Sequence, residues 1–188
     1  MKKFFGHLKT ICIHKYYVFK FCCRAGIPWR GIKHDLSKFS PTEFFESIKY
    51  YSGTRSPIDA CKKSKGYSLA WNHHKGRNTH HWEHWVDNLG INPTPILMPY
   101  KDTVEMLCDY LGACKAYNQN KNLTEREFLL EELKWWVSKR KNVLMHPAML
   151  NFIDSVLHGM YGIGSINYLL HPVALKNLYN ESVRRGTR

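Results

Sequence analysis

Nowhere in this 188-residue chain does an apolar run approach the roughly 20 residues needed to span a bilayer. The opening Met1-Lys2-Lys3-Phe4-Phe5 has the outline of a signal peptide. His7, Lys9, His14, Lys15 and Lys20 interrupt any apolar stretch behind it, so it is not read as one. No Cys-x-x-Cys pair exists among the six cysteines at 12, 22, 23, 61, 108 and 114, and their number fits no small disulfide scaffold at this length. Cys12, Cys22 and Cys108 fall on apolar helix faces and read as reduced core thiols, which points to a cytoplasmic protein. No segment alternates with period two, so the expected fold class is all-α. Acidic residues are scarce, 15 against 28 Lys and Arg, and the net charge of +13 favours phosphates, nucleotides, nucleic acid or another anionic partner, with no membrane association.

What is present is a series of helical patterns. Phe4, Leu8, Ile11, Cys12, Phe19, Cys22 and Cys23 predict an amphipathic helix over 4–24, with Gly26 and Pro28 ending it and His14 beside its apolar stripe. A short helix is expected over 29–37. Ser40-Pro41-Thr42-Glu43 is a helix start in which Ser40 caps, Pro41 takes the first position and Glu43 closes a capping box. Residues 52–66 read as a basic loop with at most a helical turn at 57–61, followed by a helix over 67–74 broken by Lys75-Gly76. Residues 80–87 read as a turn or short helix and 88–99 as a proline-rich loop. Long helices are expected over 100–118 and 124–142, the latter opened by the capping box Thr124-Glu125-Arg126-Glu127. His146-Pro147 and His171-Pro172 read as helix-start turns. The chain divides on this reading into a main helical domain, 1–145, and a helical extension with a basic tail, 146–188.

Chemistry concentrates around His34-Asp35. The adjacent pair offers a cation one imidazole nitrogen and one carboxylate oxygen, and Lys38 adds an ammonium nearby. Downstream, five histidines fall within twelve residues: His73, His74, His80, His81 and His84. Adjacent residues on a helix point about 100° apart, so one histidine of each pair is the natural ligand. A set of His14, His34, Asp35, His74, His81 and Asp109 supplies enough ligands for two metals with Asp35 shared between them. Imidazole and carboxylate together suit Fe, Mn, Zn, Co or Ni. Two metals about 3.5–4 Å apart clamp both oxygens of a phosphoryl displacement. On this reading Lys38 positions a phosphate, His80 protonates the leaving oxygen, and Arg77 and Asn78 grip phosphate or ribose. Glu83 either orients a ligand imidazole or is an ordinary helix glutamate, and Trp82 and Trp85 either wall a pocket or belong to the core. His146 and His171 read as structural.

His34-Asp35-Leu36-Ser37-Lys38 resembles the HDxxK form of the HD-domain superfamily signature. The order His14, His34-Asp35, His73/His74, His80/His81, Asp109 is similar to that superfamily's extended ligand series. More narrowly, HDLSKFSPTEF (34–44), AWNHHKGRNTHHWEHW (70–85) and EMLCDYLGA (105–113) resemble a phage and bacterial family. The resemblance implies an HD-like helical bundle with a buried metal centre, in the host cytoplasm if the gene is a phage's. It also implies a metal-dependent phosphohydrolase acting on a nucleotide or small phosphate ester. Two other readings stand beside it. The same ligand series occurs in a di-iron oxygenase branch. A non-enzymatic nucleic-acid-binding protein with a structural metal would instead rely on Lys62, Lys63, Lys65, Arg184, Arg185 and Arg188.

Overall fold

The computed structural model describes residues 1–88 and 90–186, so Arg188 of the basic tail lies outside the described residues. The described residues form an all-α bundle: α1 (Lys2–Arg24), α2 (Pro28–Lys33), α3 (Pro41–Tyr50), α4 (Pro57–Lys65), α5 (Leu69–Arg77), α6 (Tyr100–Tyr117), α7 (Glu125–Arg140), α8 (Pro147–Ile163), α9 (Ile166–Leu169) and α10 (Pro172–Gly186). Single 3-10 turns occupy Leu36–Phe39 and Trp82–Trp85. Within the stretch from 86 to 95, two-residue strands β1 (Val86–Asp87) and β2 (Thr94–Pro95) pair antiparallel. No helix among the described residues is long and apolar enough to cross a membrane.

The caps that mark these helices are local chemistry. Thr124 and Glu127 exchange the two hydrogen bonds of a capping box at the start of α7. His146 and His171, each just before a helix-opening proline, accept from the backbone N–H two residues on through Nδ1. Pro57 opens α4, so the loop expected over 52–66 is largely helical. Helix α5 runs on through Lys75-Gly76 to Arg77. Between α2 and the first 3-10 turn the chain leaves helix altogether: His34 is extended and Asp35 takes a left-handed conformation at φ 55°. The pair therefore sits in a tight bend and not on the expected helix.

Helix α6 is buried on nearly every side, and α1 packs along it. The buried positions of α1 are His7, Ile11, His14, Val18, Phe21 and Cys22. This stripe is rotated from the one apolarity predicts. Cys12 and Cys23 are exposed, Phe4 and Phe19 partly so, while two histidines face inward. The core continues through Leu107, Leu111, Phe128, Trp136, Phe152, Leu157 and Leu175 without a break at 145–146, so α8 and α10 share one apolar interior with α1 and α6.

The crossing of α1 over α6 depends on Gly112. A Cβ there would meet Val18 Cγ2 at 2.4 Å and the Val18 backbone nitrogen at 3.2 Å. Gly112 lies one turn beyond Asp109, and Val18 one turn beyond His14, so this close approach brings those two side chains together. Gly112→Ala is expected to destabilise by about 1–3 kcal/mol through overpacking, outweighing the helix propensity that alanine gains. Urea unfolding checks it, and a variant as stable as the parent would show that the helices separate freely.

Candidate metal centre

Five segments deliver the donors: α1 brings His14, the bend after α2 brings His34 and Asp35, α5 brings His74, the turn after it brings His80 and His81, and α6 brings Asp109. The bend is held from α1, where the Lys15 ammonium donates to the carbonyls of Ile32 and His34 at 2.6 and 2.7 Å. The left-handed backbone at Asp35 is one that aspartate tolerates better than most residues, and the side chain it carries is almost wholly buried.

The Asp35 carboxylate is the midpoint of the cluster. Its Oδ2 lies 3.1 Å from His34 Nε2 and 3.4 Å from His14 Nε2. Its Oδ1 lies 3.2 Å from His74 Nε2 and 3.4 Å from His80 Nε2. Asp109 Oδ1 closes the first side, 3.0 Å from His14 Nε2 and 3.3 Å from His34 Nε2. Two donor groups result, His14, His34, Asp35 and Asp109 on one side and Asp35, His74, His80 and His81 on the other. Within each group the donor atoms lie within 4.8 Å of one another. Asp35 Oδ1, His80 Nε2 and His81 Nε2 are buried with no hydrogen-bond partner, while Asp35 Oδ2 is paired with the Lys38 ammonium. Buried polar atoms are nearly always satisfied, so three orphans converging at one point suit a cation. The donor set of imidazoles and carboxylates fits a divalent transition metal on each side of Asp35.

A second layer of carboxylates orients the imidazoles from behind. Glu105 Oε1 lies 3.0 Å from His34 Nδ1 and 3.2 Å from His80 Nδ1. Its other oxygen accepts from Arg30 Nε at 2.5 Å, and Arg30 also pairs with Asp102. Glu43 accepts from His73 Nδ1 at 2.6 Å and His74 Nδ1 at 2.7 Å. With Nδ1 so engaged, His34, His74 and His80 present Nε2 to the centre. Glu105 and Glu43 carried no role of this kind in the sequence reading, which assigned Glu43 to a capping box. The Ser40 hydroxyl does accept from the Glu43 N–H, but the Glu43 side chain turns inward. For Glu105 a signal existed: it stands four residues before Asp109, on the same helical face.

A family model described as a family of unknown function, DUF5662, matches residues 3–158. The chain belongs to that family. No curated protein and no solved structure matches it. The DUF5662 match takes in every donor of both groups and the Glu43 and Glu105 that stand behind them.

The ionisable groups of this DUF5662 cluster shift one another. Burial disfavours the ionised Asp35, yet the surrounding His34, Lys38 and His74 hold its carboxyl well below the usual range. Asp109 is likewise held down, against burial, by hydrogen bonds from His14 and His34. Burial opposes a charge on His34, but Asp35 and Asp109 raise it well above an ordinary imidazole. Burial, with His80 and His74 beside it, keeps His81 well below. The Lys38 ammonium sits 2.5 Å from Asp35 Oδ2 and is paired to that carboxylate.

The remaining residues singled out in the sequence fall as follows. His80 and His81 both enter the donor group. They lie in a turn, with His81 extended, so the helical argument that only one of two neighbours faces inward does not apply to them. His80, expected as a proton donor, has a ring nitrogen within the second group of candidate donors. His73 is half-buried and reaches Glu43. Asn78 donates to the Ser37 hydroxyl and the His74 carbonyl, tying α5 to the bend, and Arg77 is exposed. Neither lines the two cavities that meet the cluster. Glu83 makes no imidazole contact, and burial raises its carboxyl. Trp82 walls a cavity, while Trp85 packs on the core and donates to the Thr79 carbonyl at 2.6 Å.

The smaller cavity, about 190 Å³, reaches His14, Lys38, His74, His81 and Asp109 and is also lined by His7. Burial, assisted by Lys38, lowers the His7 imidazole to about 4, so it is neutral at ordinary pH, and its Nδ1 has no partner. The sequence offered a signal for His7 in its spacing of seven residues from His14.

Proposed function

We propose that this DUF5662 protein is an HD-type metal-dependent phosphohydrolase acting on a nucleotide or small phosphate ester. The observation that carries the reading is the division of Asp35, whose two oxygens face separate imidazole sets. His14, His34, Asp35 and Asp109 would hold one divalent cation, and Asp35, His74, His80 and His81 a second. Cations bound in this way supply Lewis acidity toward a phosphoryl group and acidify water. The chain's own groups do the positioning. Lys38 stands beside Asp35 on the wall of the smaller cavity, where its ammonium meets a phosphate oxygen as a point charge. Neutral His7 offers Nδ1 to the same ligand. Glu105 and Glu43 keep Nε2 of His34, His80 and His74 aimed inward, and their hydrogen bonds raise the basicity of those rings.

The test combines elemental analysis of the purified chain with phosphate release from a panel of phosphate esters after reconstitution with Mn. About two cations per chain and phosphate release support the reading. Oxygen consumption by a coloured iron form, without phosphate release, supports the oxygenase alternative and overturns hydrolysis. Glu105→Gln is expected to lower metal affinity about 10- to 100-fold while the chain stays folded. Competition against a chelator measures this, and an unchanged affinity would remove Glu105 from the role assigned to it.

A further inference from the structure

The larger of the two cavities, about 500 Å³, has the size of a small-molecule site. It adjoins the donor cluster, because His81 and Asp109 line both cavities, as do Trp71 and Tyr117. A ligand whose phosphate reaches Lys38 in the smaller cavity therefore has its remaining part in the larger one.

The walls there are aromatic. Trp71, Trp82 and Trp135 line it with Tyr110 and Tyr117, and the Tyr110 and Trp135 rings stand edge to face at 4.9 Å. Into the same space comes Glu132, from the buried face of α7. Glu132 is 2% exposed; the Cys114 thiol hydrogen-bonds its carboxyl, and its Oε1 has no hydrogen-bond partner. Glu83 Oε2 is a second buried, unpartnered carboxyl oxygen in this cavity. A buried carboxyl left unsatisfied is costly, and nothing in the fold of α7 requires one at a position that leucine would fill. Flat aromatic walls with an unpaired polar group at the back are suited to a planar ring that has its own hydrogen-bonding edge.

We propose that the larger cavity seats a planar nitrogen heterocycle of the nucleobase type, stacked on its aromatic walls with a ring edge hydrogen-bonded to Glu132. Burial pushes the Glu132 carboxyl up to about 8, so at neutral pH it offers one O–H and one acceptor oxygen. That pair complements an edge carrying one N–H beside one acceptor, as nucleobases do. The heterocycle assignment rests on the phosphohydrolase reading only for the direction in which a phosphate would lie; the ring site itself stands on the larger cavity.

Adenosine, guanosine and uridine titrated into the 188-residue chain, followed by tryptophan fluorescence and calorimetry, test it, with ribose and ribose 5-phosphate as controls that lack the base. At least one nucleoside is expected to quench the cavity tryptophans and bind at least tenfold more tightly than ribose. Glu132→Leu, which removes both donor and acceptor, and Trp135→Ala are each expected to weaken that binding about tenfold, in line with the loss of a stacking or edge contact. Trp135 is partly exposed, so its truncation leaves the core intact. Nucleosides that bind no better than ribose, or variants that bind them as the parent does, overturn the proposal. Nucleoside binding needs neither metal nor turnover. Binding without hydrolysis of any ester would therefore sink the hydrolase reading and leave the ring site standing. Ester hydrolysis with no nucleoside binding would do the reverse.

Discussion

On the proposed two-cation hydrolase reading, replacing Asp35 by asparagine is expected to strip the chain of both cations and lower phosphate-ester hydrolysis by about a thousandfold or more. Asparagine is the informative substitution. It tolerates the left-handed backbone at φ 55° and preserves the shape of the side chain, so the bend survives. What it loses is the negative charge and one of the two oxygens, and each oxygen faces a different imidazole set. Because Asp35 belongs to both donor groups, its loss differs from that of an unshared ligand. His14→Ala is expected to leave about one cation per chain, held by the His74, His80 and His81 side. The rate loss follows from the size of metal-based charge stabilisation, several kcal/mol, at 1.36 kcal/mol per tenfold. Elemental analysis after exhaustive dialysis, paired with phosphate release, measures both effects. Retention of two cations by Asp35→Asn would mean that the two donor groups do not share this carboxylate.

The second large effect concerns stability and pH. Burial raises Glu132 from 4.5 to about 8 in the folded chain. Between those values the folded protein keeps a proton that the unfolded chain has released, so this residue makes stability fall as pH rises. Above about 8 the carboxylate is ionised in both states and the full cost, a few kcal/mol, is present. Glu132→Gln carries no such dependence. Its melting temperature relative to the parent is therefore expected to climb between pH 5 and pH 8.5, by roughly 5–10 °C for a chain of this size. Any fixed offset from the amide cancels in that slope. The histidines of the candidate metal centre are unchanged in Glu132→Gln, and a chelator in both samples removes metal from the comparison. A melting difference that stays flat across this range would show that Glu132 is solvated or paired in solution.

How much of this was legible in the sequence depends on the residue. His34-Asp35, His74 and Asp109 could be singled out because metal-ligand residue types are conspicuous in themselves. Glu43, Glu105 and Glu132 could not be seen in the same way. A glutamate in a helix reads as solvated by default, and apolar periodicity ranks it outward. The same rule misplaced the inner stripe of α1, where His7 and His14 take inward positions while Cys12 and Cys23 face out. In α7 the apolar Val137 is exposed, while Glu132 is buried. Periodicity finds the buried face only where that face is apolar, and here part of it faces a polar centre.

The helices themselves needed little beyond the sequence, because their causes lie within a few residues. Ser40-Pro41, Thr124 with Glu127, and the proline starts at 147 and 172 are contacts between near neighbours, as are the turns of apolar spacing between them. Which atom of which imidazole faces Asp35 was decided by the tertiary structure alone. It depends on the approach of α1 to α6 at Gly112, on the left-handed bend at Asp35, and on carboxylates from α3 and α6 that reach rings 31 and 71 positions away in the chain. Such convergence is fixed by packing between distant segments, and no local period encodes it.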